Sequence, residues 1–314
     1  MNAPAHIRRE LSDQDDAFRA EHVGASEVAA LFDASPYLTP FELWHRKNGT
    51  IATPDFMADG MPNNERIEAG IRLEPAIIDW ACDKWGYVRR ETPKNLDNGA
   101  GLGGHPDQLV TCPERGDGLL EIKTADWLIR KKWGDEPPLN YLLQAQTYAG
   151  LAKVQWCDVV CLVGGNQLER FTYEFRPAIF AEIEKRVTAF WQSIRANDPP
   201  APDFARDGRT LAEVLGEPTD EVIDLRHDNA ADHLACEFLA AKAEIKAAEQ
   251  RAEEAKNALL LKIGDAGRAL LPSHRIGANM TKGSPDKVIT ADMVGEIIKG
   301  RRGYRRFDVK EVAE

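Results

Sequence analysis

Apolar residues along this chain keep two rhythms, one helical and one alternating, and the change from one to the other marks out its elements. Thr39-Pro40-Phe41-Glu42 has the form of a capping box with proline at the first helical position, predicting a helix through Lys47 that ends near Asn48-Gly49. From about Asn63 to Trp85, apolar side chains at Ile67, Ile71, Ala76, Ile78 and Trp80 predict a second helix, with Pro75 as a kink and Gly86 as its cap. Short β-prone runs follow at Tyr87 to Glu91, Gln108 to Cys112 and Leu119 to Lys123, and then a helix from about Asn140 to Lys153. Trp156 to Val163 and Leu168 to Arg176 alternate across Gly164-Gly165-Asn166, the pattern of a hairpin. Pro177 opens a helix to about Ala196. Strands and helices interleaved in this way predict an α/β core.

The pattern breaks at Asn197-Asp198-Pro199-Pro200-Ala201-Pro202-Asp203, which has no apolar period and predicts a domain edge, with domains at 1–198 and 199–314. Beyond it the chain from about Ala230 to Ile263 is rich in alanine and charge. Leu234, Phe238, Ala241, Ile245, Ala248 and Ala252 fall at three- and four-residue steps, which predicts one long amphipathic helix. Three uses stay open for it: packing on the first domain, a coiled coil, or a surface for a partner protein. A β-prone stretch at His274 to Met280, a helix at Ala291 to Gly300 and a strand at Arg305 to Val309 are expected after it. Arg301, Arg302, Arg305 and Arg306 around Gly303-Tyr304 form a basic cluster that suits either DNA or a solvated turn.

Composition narrows the setting. With 43% hydrophobic and 29% charged residues the chain has the balance of a globular protein, and it contains no apolar run of membrane-spanning length. Met1 to Glu10 lacks the apolar core of a secretory signal, so a cytoplasmic location is expected. Cys82, Cys112, Cys157, Cys161 and Cys236 are scattered without a Cys-x-x-Cys pair, which predicts buried reduced thiols and no zinc or iron-sulfur centre. A formal net charge of -11 excludes a general nucleic-acid coat but allows an enzyme with a locally basic groove.

The candidate chemistry lies in Gly104-His105-Pro106-Asp107 followed by Gly118-Leu119-Leu120-Glu121-Ile122-Lys123-Thr124. Two adjacent carboxylates stay ionised together when a divalent cation sits between them, so Asp107, Glu121 and the carbonyl of Ile122 are candidate ligands for Mg2+, with Mn2+ able to substitute. Lys123 leaves the strand on the same face as Glu121, which brings an amine to a metal-bound water. Taken singly, Glu121 and Lys123 also suit a cross-strand ion pair, and Asp107 a turn cap. Trp127 and Trp133, with Arg130, Lys131 and Lys132, fit either stacking on single-stranded DNA or helix packing under a basic exposed face.

Further motifs carry a family resemblance. Gly24-Ala25-Ser26-Glu27-Val28-Ala29-Ala30, Ser35-Pro36-Tyr37-Leu38-Thr39-Pro40 and Leu43-Trp44 resemble the opening of the YqaJ-like viral recombinases, relatives of phage lambda exonuclease. Gly70-x-x-x-Glu74-Pro75, Gly104-x-x-Asp107, Glu121-Ile122-Lys123 and Tyr141-x-x-Gln144-x-Gln146 resemble, in order, that family's helical glutamate motif, first metal carboxylate, PD-(D/E)xK signature and glutamine motif. The resemblance spans roughly Arg19 to Lys153. It implies an α/β restriction-endonuclease-like PD-(D/E)xK core with a mixed central sheet flanked by helices, followed by a helical C-terminal extension.

It also implies roles. Glu74 assists the metal from the opposite side, and Gln144 positions water, metal ligands or DNA. Tyr141 lies on the DNA side, and Arg19 with Ser26 grips the 5′ phosphate of the digested strand, a use that suits a guanidinium beside a hydroxyl. The implied activity is 5′ to 3′ digestion of double-stranded DNA at free ends, leaving 3′ single strands for recombination. A single-strand annealing protein as partner and a homotrimeric ring go with it. The rival readings are a structure-specific endonuclease of the same fold and a non-catalytic DNA-binding scaffold.

Overall fold

The computed structural model describes residues 13–53, 64–272 and 274–278. The chain opens with α1 (Asp13–Glu21), β1 (Val23–Gly24), a 3-10 turn (Val28–Phe32), α2 (Pro40–Lys47) and α3 (Asn64–Trp85). Five short strands or strand pieces follow: β2 (Val88–Arg89), β3 (Leu96–Asp97), β4 (Leu102–Gly104), β5 (Gln108–Cys112) and the longer β6 (Gly116–Ala125). Then come α4 (Trp127–Lys132), α5 (Leu139–Ala152), β7 (Trp156–Val163), β8 (Gln167–Glu174), α6 (Pro177–Ala196) and α7 (Gly208–Leu215). The last described elements are α8 (Asn229–Ile263), β9 (Arg268–Leu270) and β10 (Arg275–Gly277). The expected helix at Ala291 to Gly300, the strand at Arg305 to Val309 and the basic cluster at Arg301 to Arg306 lie outside the described residues, as does the end of the His274 to Met280 stretch.

The main sheet has the order β2-β5-β6-β7-β8. Only β6 and β7 are parallel, joined by the crossover through α4 and α5; the other pairings are antiparallel. This is the mixed sheet flanked by helices that the PD-(D/E)xK resemblance implied. Every residue of β7 is buried, as suits a strand covered on both faces, and its run of Val159, Val160, Cys161, Leu162 and Val163 has the β-branched, apolar character such a strand needs. On one face Leu120, Trp156, Val160 and Leu162 pack with Ile77, Ile78 and Ala81 of α3. On the other, Leu119, Cys157 and Val159 pack with Ala145, Tyr148 and Ala149 of α5.

A second sheet, β1-β4-β3, lies beside a third apolar cluster formed by Val23, Leu43, Trp44, Leu102, Ile183 and Phe190 with their neighbours.

Local expectations are corrected at several points. The capping box at α2 forms by half: Thr39 Oγ1 accepts the Glu42 amide at 3.0 Å, while the Glu42 carboxylate pairs with Arg46. The buried face of α3 is Ile77, Ile78 and Ala81, which pack on β6 and β7, whereas Ile67 and Trp80 are exposed. The expected burial of thiols holds for Cys112, Cys157 and Cys161; Cys82 is half-buried and Cys236 exposed, and all five are free.

The chain forms two compact units, Met1–Gly216 and Glu217–Glu314. The first takes in the proline-rich stretch after Asp198, for a visible reason. Thr39 Oγ1 donates to Asp207 Oδ1 at 2.6 Å, and the Arg206 guanidinium donates to the Ser35 carbonyl at 2.7 Å. Asp207 is itself buried. In the second unit α8 runs unbroken from its Asp228 cap, and β9 pairs antiparallel with β10.

Candidate active site

The site is built where β6 outruns its neighbour. Pairing with β5 stops at Gln108 opposite Leu120, while on the other side β7 continues alongside, with Glu121 opposite Val159 and Lys123 opposite Cys161. The edge left open beyond β5 is taken by the turn that precedes it: Asp107 Oδ2 accepts the Ile122 amide at 2.7 Å. In a strand a residue's N–H and C=O leave on the same side, so the Ile122 carbonyl also points to this edge. Three oxygen donors, from Asp107, Glu121 and Ile122, therefore gather at the sheet's interruption.

Glu121 follows the parity of Leu119 and faces α5, where it is only 2% exposed. One carboxylate oxygen, Oε1, pairs with the Lys123 amine, and the other, Oε2, is buried with no hydrogen-bond partner. Burial first, and then the Asp107 carboxylate, push the Glu121 carboxyl up to about 8, with Glu74 adding to the repulsion. Burial works against the charge on Lys123, but the Glu121 and Asp107 carboxylates outweigh it and hold the amine above its usual range. The Lys123 ammonium also lies 5.1 Å from the centre of the Tyr141 ring.

An unbonded, buried carboxylate oxygen beside a second carboxylate and a free-edge carbonyl is a hard, oxygen-only donor set of the kind magnesium and manganese prefer. Among the described residues no three His, Cys, Asp or Glu groups close into a cage by themselves. Lys123 and the Ile122 amide occupy the two carboxylates instead.

Helix α5 supplies the site's roof. Tyr141, Gln144 and Tyr148 recur at three and four residues and share one helical face. Gln144 is buried beside Tyr148, whose hydroxyl donates to the His105 carbonyl at 2.9 Å. Burial, followed by the Glu121 and Asp107 charges, raises the Tyr148 phenol well above its usual range, so this hydroxyl stays protonated and tethers the turn carrying Asp107. Sequence reasoning passed over Tyr148, although its spacing from Gln144 was the available signal. Gly104 belongs to the same arrangement, since a Cβ there would come within 2.8 Å of the Tyr148 ring. Gln146 points away: it donates to the Glu174 carbonyl at 2.8 Å and accepts the Arg176 amide at 2.7 Å, tying α5 to the end of β8.

Glu74, on the first half of α3, is half-buried and close enough to Glu121 to act on its charge. Arg19 is exposed on α1, and its carbonyl accepts a 2.7 Å hydrogen bond from Lys47. Ser26 is exposed between β1 and the 3-10 turn; the preceding Ala25 amide donates to the Gly103 carbonyl at 2.9 Å, which fixes this segment to β4 and so to the turn leading to Asp107. Lys47, which also pairs with Glu27 at 2.7 Å, was not foreseen; it links the segments that carry Arg19 and Ser26.

The basic, aromatic stretch at α4 divides. Trp133 packs edge-on to Tyr141 and Phe171, and Arg130 binds Glu169 at 2.6 Å. Trp127, Lys131 and Lys132 are exposed.

Comparison with known proteins agrees with the family resemblance. The model of the YqaJ-like viral recombinase domain matches residues 16–155. The uncharacterized protein YqaJ of Bacillus subtilis (strain 168) is 23% identical over 94% of this chain and 93% of its own length. Among solved structures, the alkaline exonuclease LHK-Exo from Laribacter hongkongensis is 25% identical with a TM-score of 0.47, covering 64% of this chain and 100% of its own. Its complex with dAMP gives 26% identity and a TM-score of 0.45 over the same shares.

Proposed function

Taking as premise that residues 16–155 form a YqaJ-like viral recombinase domain, we propose that this protein is a divalent-metal-dependent exonuclease acting on linear double-stranded DNA. It digests one strand from its 5′ end and leaves a 3′ single strand, the substrate an annealing protein would take up in recombination. The observation that carries the reading is the meeting of Asp107, Glu121 and Lys123 at the open edge of β6, with Glu121 Oε2 buried and unbonded.

Phosphodiester hydrolysis needs a nucleophilic water and positive charge against the phosphate. Magnesium, with manganese as substitute, supplies that charge and activates the water. Asp107, Glu121 and the Ile122 carbonyl would hold it, with Glu74 assisting from α3. Lys123 is held protonated while its carboxylates face it alone. A cation held by those carboxylates would loosen their hold on Lys123, whose amine would then orient the attacking water and take a proton from it. Gln144, fixed against Tyr148, positions water or the scissile backbone, and Tyr141 lines the DNA side beside Lys123. The exposed guanidinium of Arg19 and hydroxyl of Ser26 are available for a terminal 5′ phosphate, which supports the polarity.

The test uses purified full chain with magnesium and linear duplexes labelled at either end, with 5′ phosphate or 5′ hydroxyl, beside covalently closed circles. Label should leave 5′ ends first, faster with a phosphate, while circles stay intact. Cleavage of closed circles, or undiminished activity in Glu121→Ala or Lys123→Ala, contradicts the proposal.

A further inference from the structure

Helix α8 bears a seam that the nuclease reading does not use. It is 35 residues long, on the order of 50 Å, and none of its residues is buried. Small side chains recur at every seventh position, Ala241, Ala248 and Ala255. Four residues after each comes a second row, Ile245, Ala252 and Leu259. Leu234 extends the first row by one heptad toward the N-terminus. The two rows together make the 3-4 spacing of a coiled-coil seam. Leu234, Ile245 and Leu259 are 63%, 52% and 37% exposed. A single helix with an apolar stripe in water gains most of its stability from whatever covers that stripe.

We infer that α8 pairs with α8 of a second copy of this chain as an antiparallel coiled coil centred near Ala247. Shape and charge both select this arrangement. Antiparallel helices set one row against the other, so Ile245 meets the partner's Ala248, Ala241 meets the partner's Ala252, and Leu259 meets the partner's Leu234. In the centre a large residue thus faces a small one, and the helices can approach closely along their length. The flanking charges then match: Lys242 stands beside the partner's Glu249, and Glu244 beside the partner's Arg251, each twice by symmetry.

The alternatives carry clashes. A parallel pair sets Glu244 beside the partner's Glu249 and Arg251 beside the partner's Lys256, and leaves alanine facing alanine at 241, 248, 252 and 255, where the antiparallel pair does so only between Ala241 and Ala252. Sliding the antiparallel pair one heptad sets Lys242 against the partner's Lys256 in one direction and against the partner's Lys242 in the other. Like charges at such flanking positions are what coiled coils use to exclude wrong registers. The pairing does not depend on the nuclease reading.

Cysteine cross-linking tests it on the full chain, with the exposed Cys236 replaced by serine. Ala241→Cys and Ala252→Cys chains, mixed and oxidised, should give disulfide-linked dimers, while neither chain alone should. Self-linking of Ala241→Cys alone indicates a parallel pair, and an unlinked mixture indicates that something else covers the seam; either result overturns the inference. In sedimentation, Lys242→Glu and Glu249→Lys should each weaken self-association about tenfold, and the two together should restore it. Glu249→Lys relieves a repulsion in the parallel pair, so tighter association in that variant also overturns the proposal.

Discussion

In the proposed site Glu121 is buried beside a second carboxylate. Its carboxyl titrates near 8 in the folded chain against an ordinary 4.5, because it is buried beside Asp107. A raised folded value means that the native state holds a proton which the unfolded chain has released, so this contribution to stability is present below about 4.5 and is lost as pH rises through about 8. In a metal chelator, denaturant melts of the wild type should therefore weaken across that window, and Glu121→Gln should flatten the decline while lowering nuclease activity by ~100-fold or more. The same titration predicts that metal affinity, followed by calorimetry, rises with pH, since proton and cation compete for one oxygen. A pH-independent affinity between 5 and 9 would remove this account. The carboxylates and the amine were legible in sequence through their spacing. That two carboxylates hold Lys123 charged against its burial, and that Tyr148 tethers the Asp107 turn, depends on which side chains meet, and those meetings belong to the assembled sheet.

Among the elements, β6 and β7 set the site, and each depends on a neighbour that spacing does not disclose. Gly118 lies in β6 directly over Trp156, and a Cβ there would come within 2.2 Å of the indole ring, which is itself fully buried. Gly118→Ala should accordingly destabilise the protein by about 1–3 kcal/mol or more by thermal melt, against the usual gain from removing a strand glycine. Asp158 of β7 is fully buried and accepts from the Tyr87 hydroxyl at 2.5 Å, the Arg115 guanidinium at 2.7 Å and the Thr172 hydroxyl at 2.7 Å. Its neighbours along the sequence are apolar, so the alternation marks a strand and nothing identifies the network. Asp158→Ala strands these donors and should cost about 3–5 kcal/mol in denaturant unfolding, with active-site geometry affected only through lost β7 order. A loss under 1 kcal/mol would show the network to be dispensable.

For the whole molecule, the tertiary contacts of Arg206 and Asp207 decide where a stable nuclease unit can be cut. A chain of residues 1–216 should melt as one cooperative unit and keep its activity, whereas 1–198 loses the Thr39 and Ser35 contacts and should melt several degrees lower. Equal melting temperatures would mean that the segment only decorates the surface. The sequence by itself determined α2, α3, α5, α6 and the long α8, the hairpin, the central strand and the ordered motif set, because these rest on local periodicity, caps and turns, whereas α1 and α7 carried no such signal. It also supplied the charges from which the pairing of α8 is inferred, since a heptad repeat is written along a single helix. Only the tertiary structure decided which half of α3 is buried, that Gln146 serves the scaffold while Gln144 faces the site, and that residues after Asp198 belong to the first unit. These turn on which face of an element meets which neighbour across long stretches of chain. The raised carboxyl of Glu121 is the plainest instance, because sequence gives the residue its ordinary value and only the fold removes the water and brings Asp107 beside it.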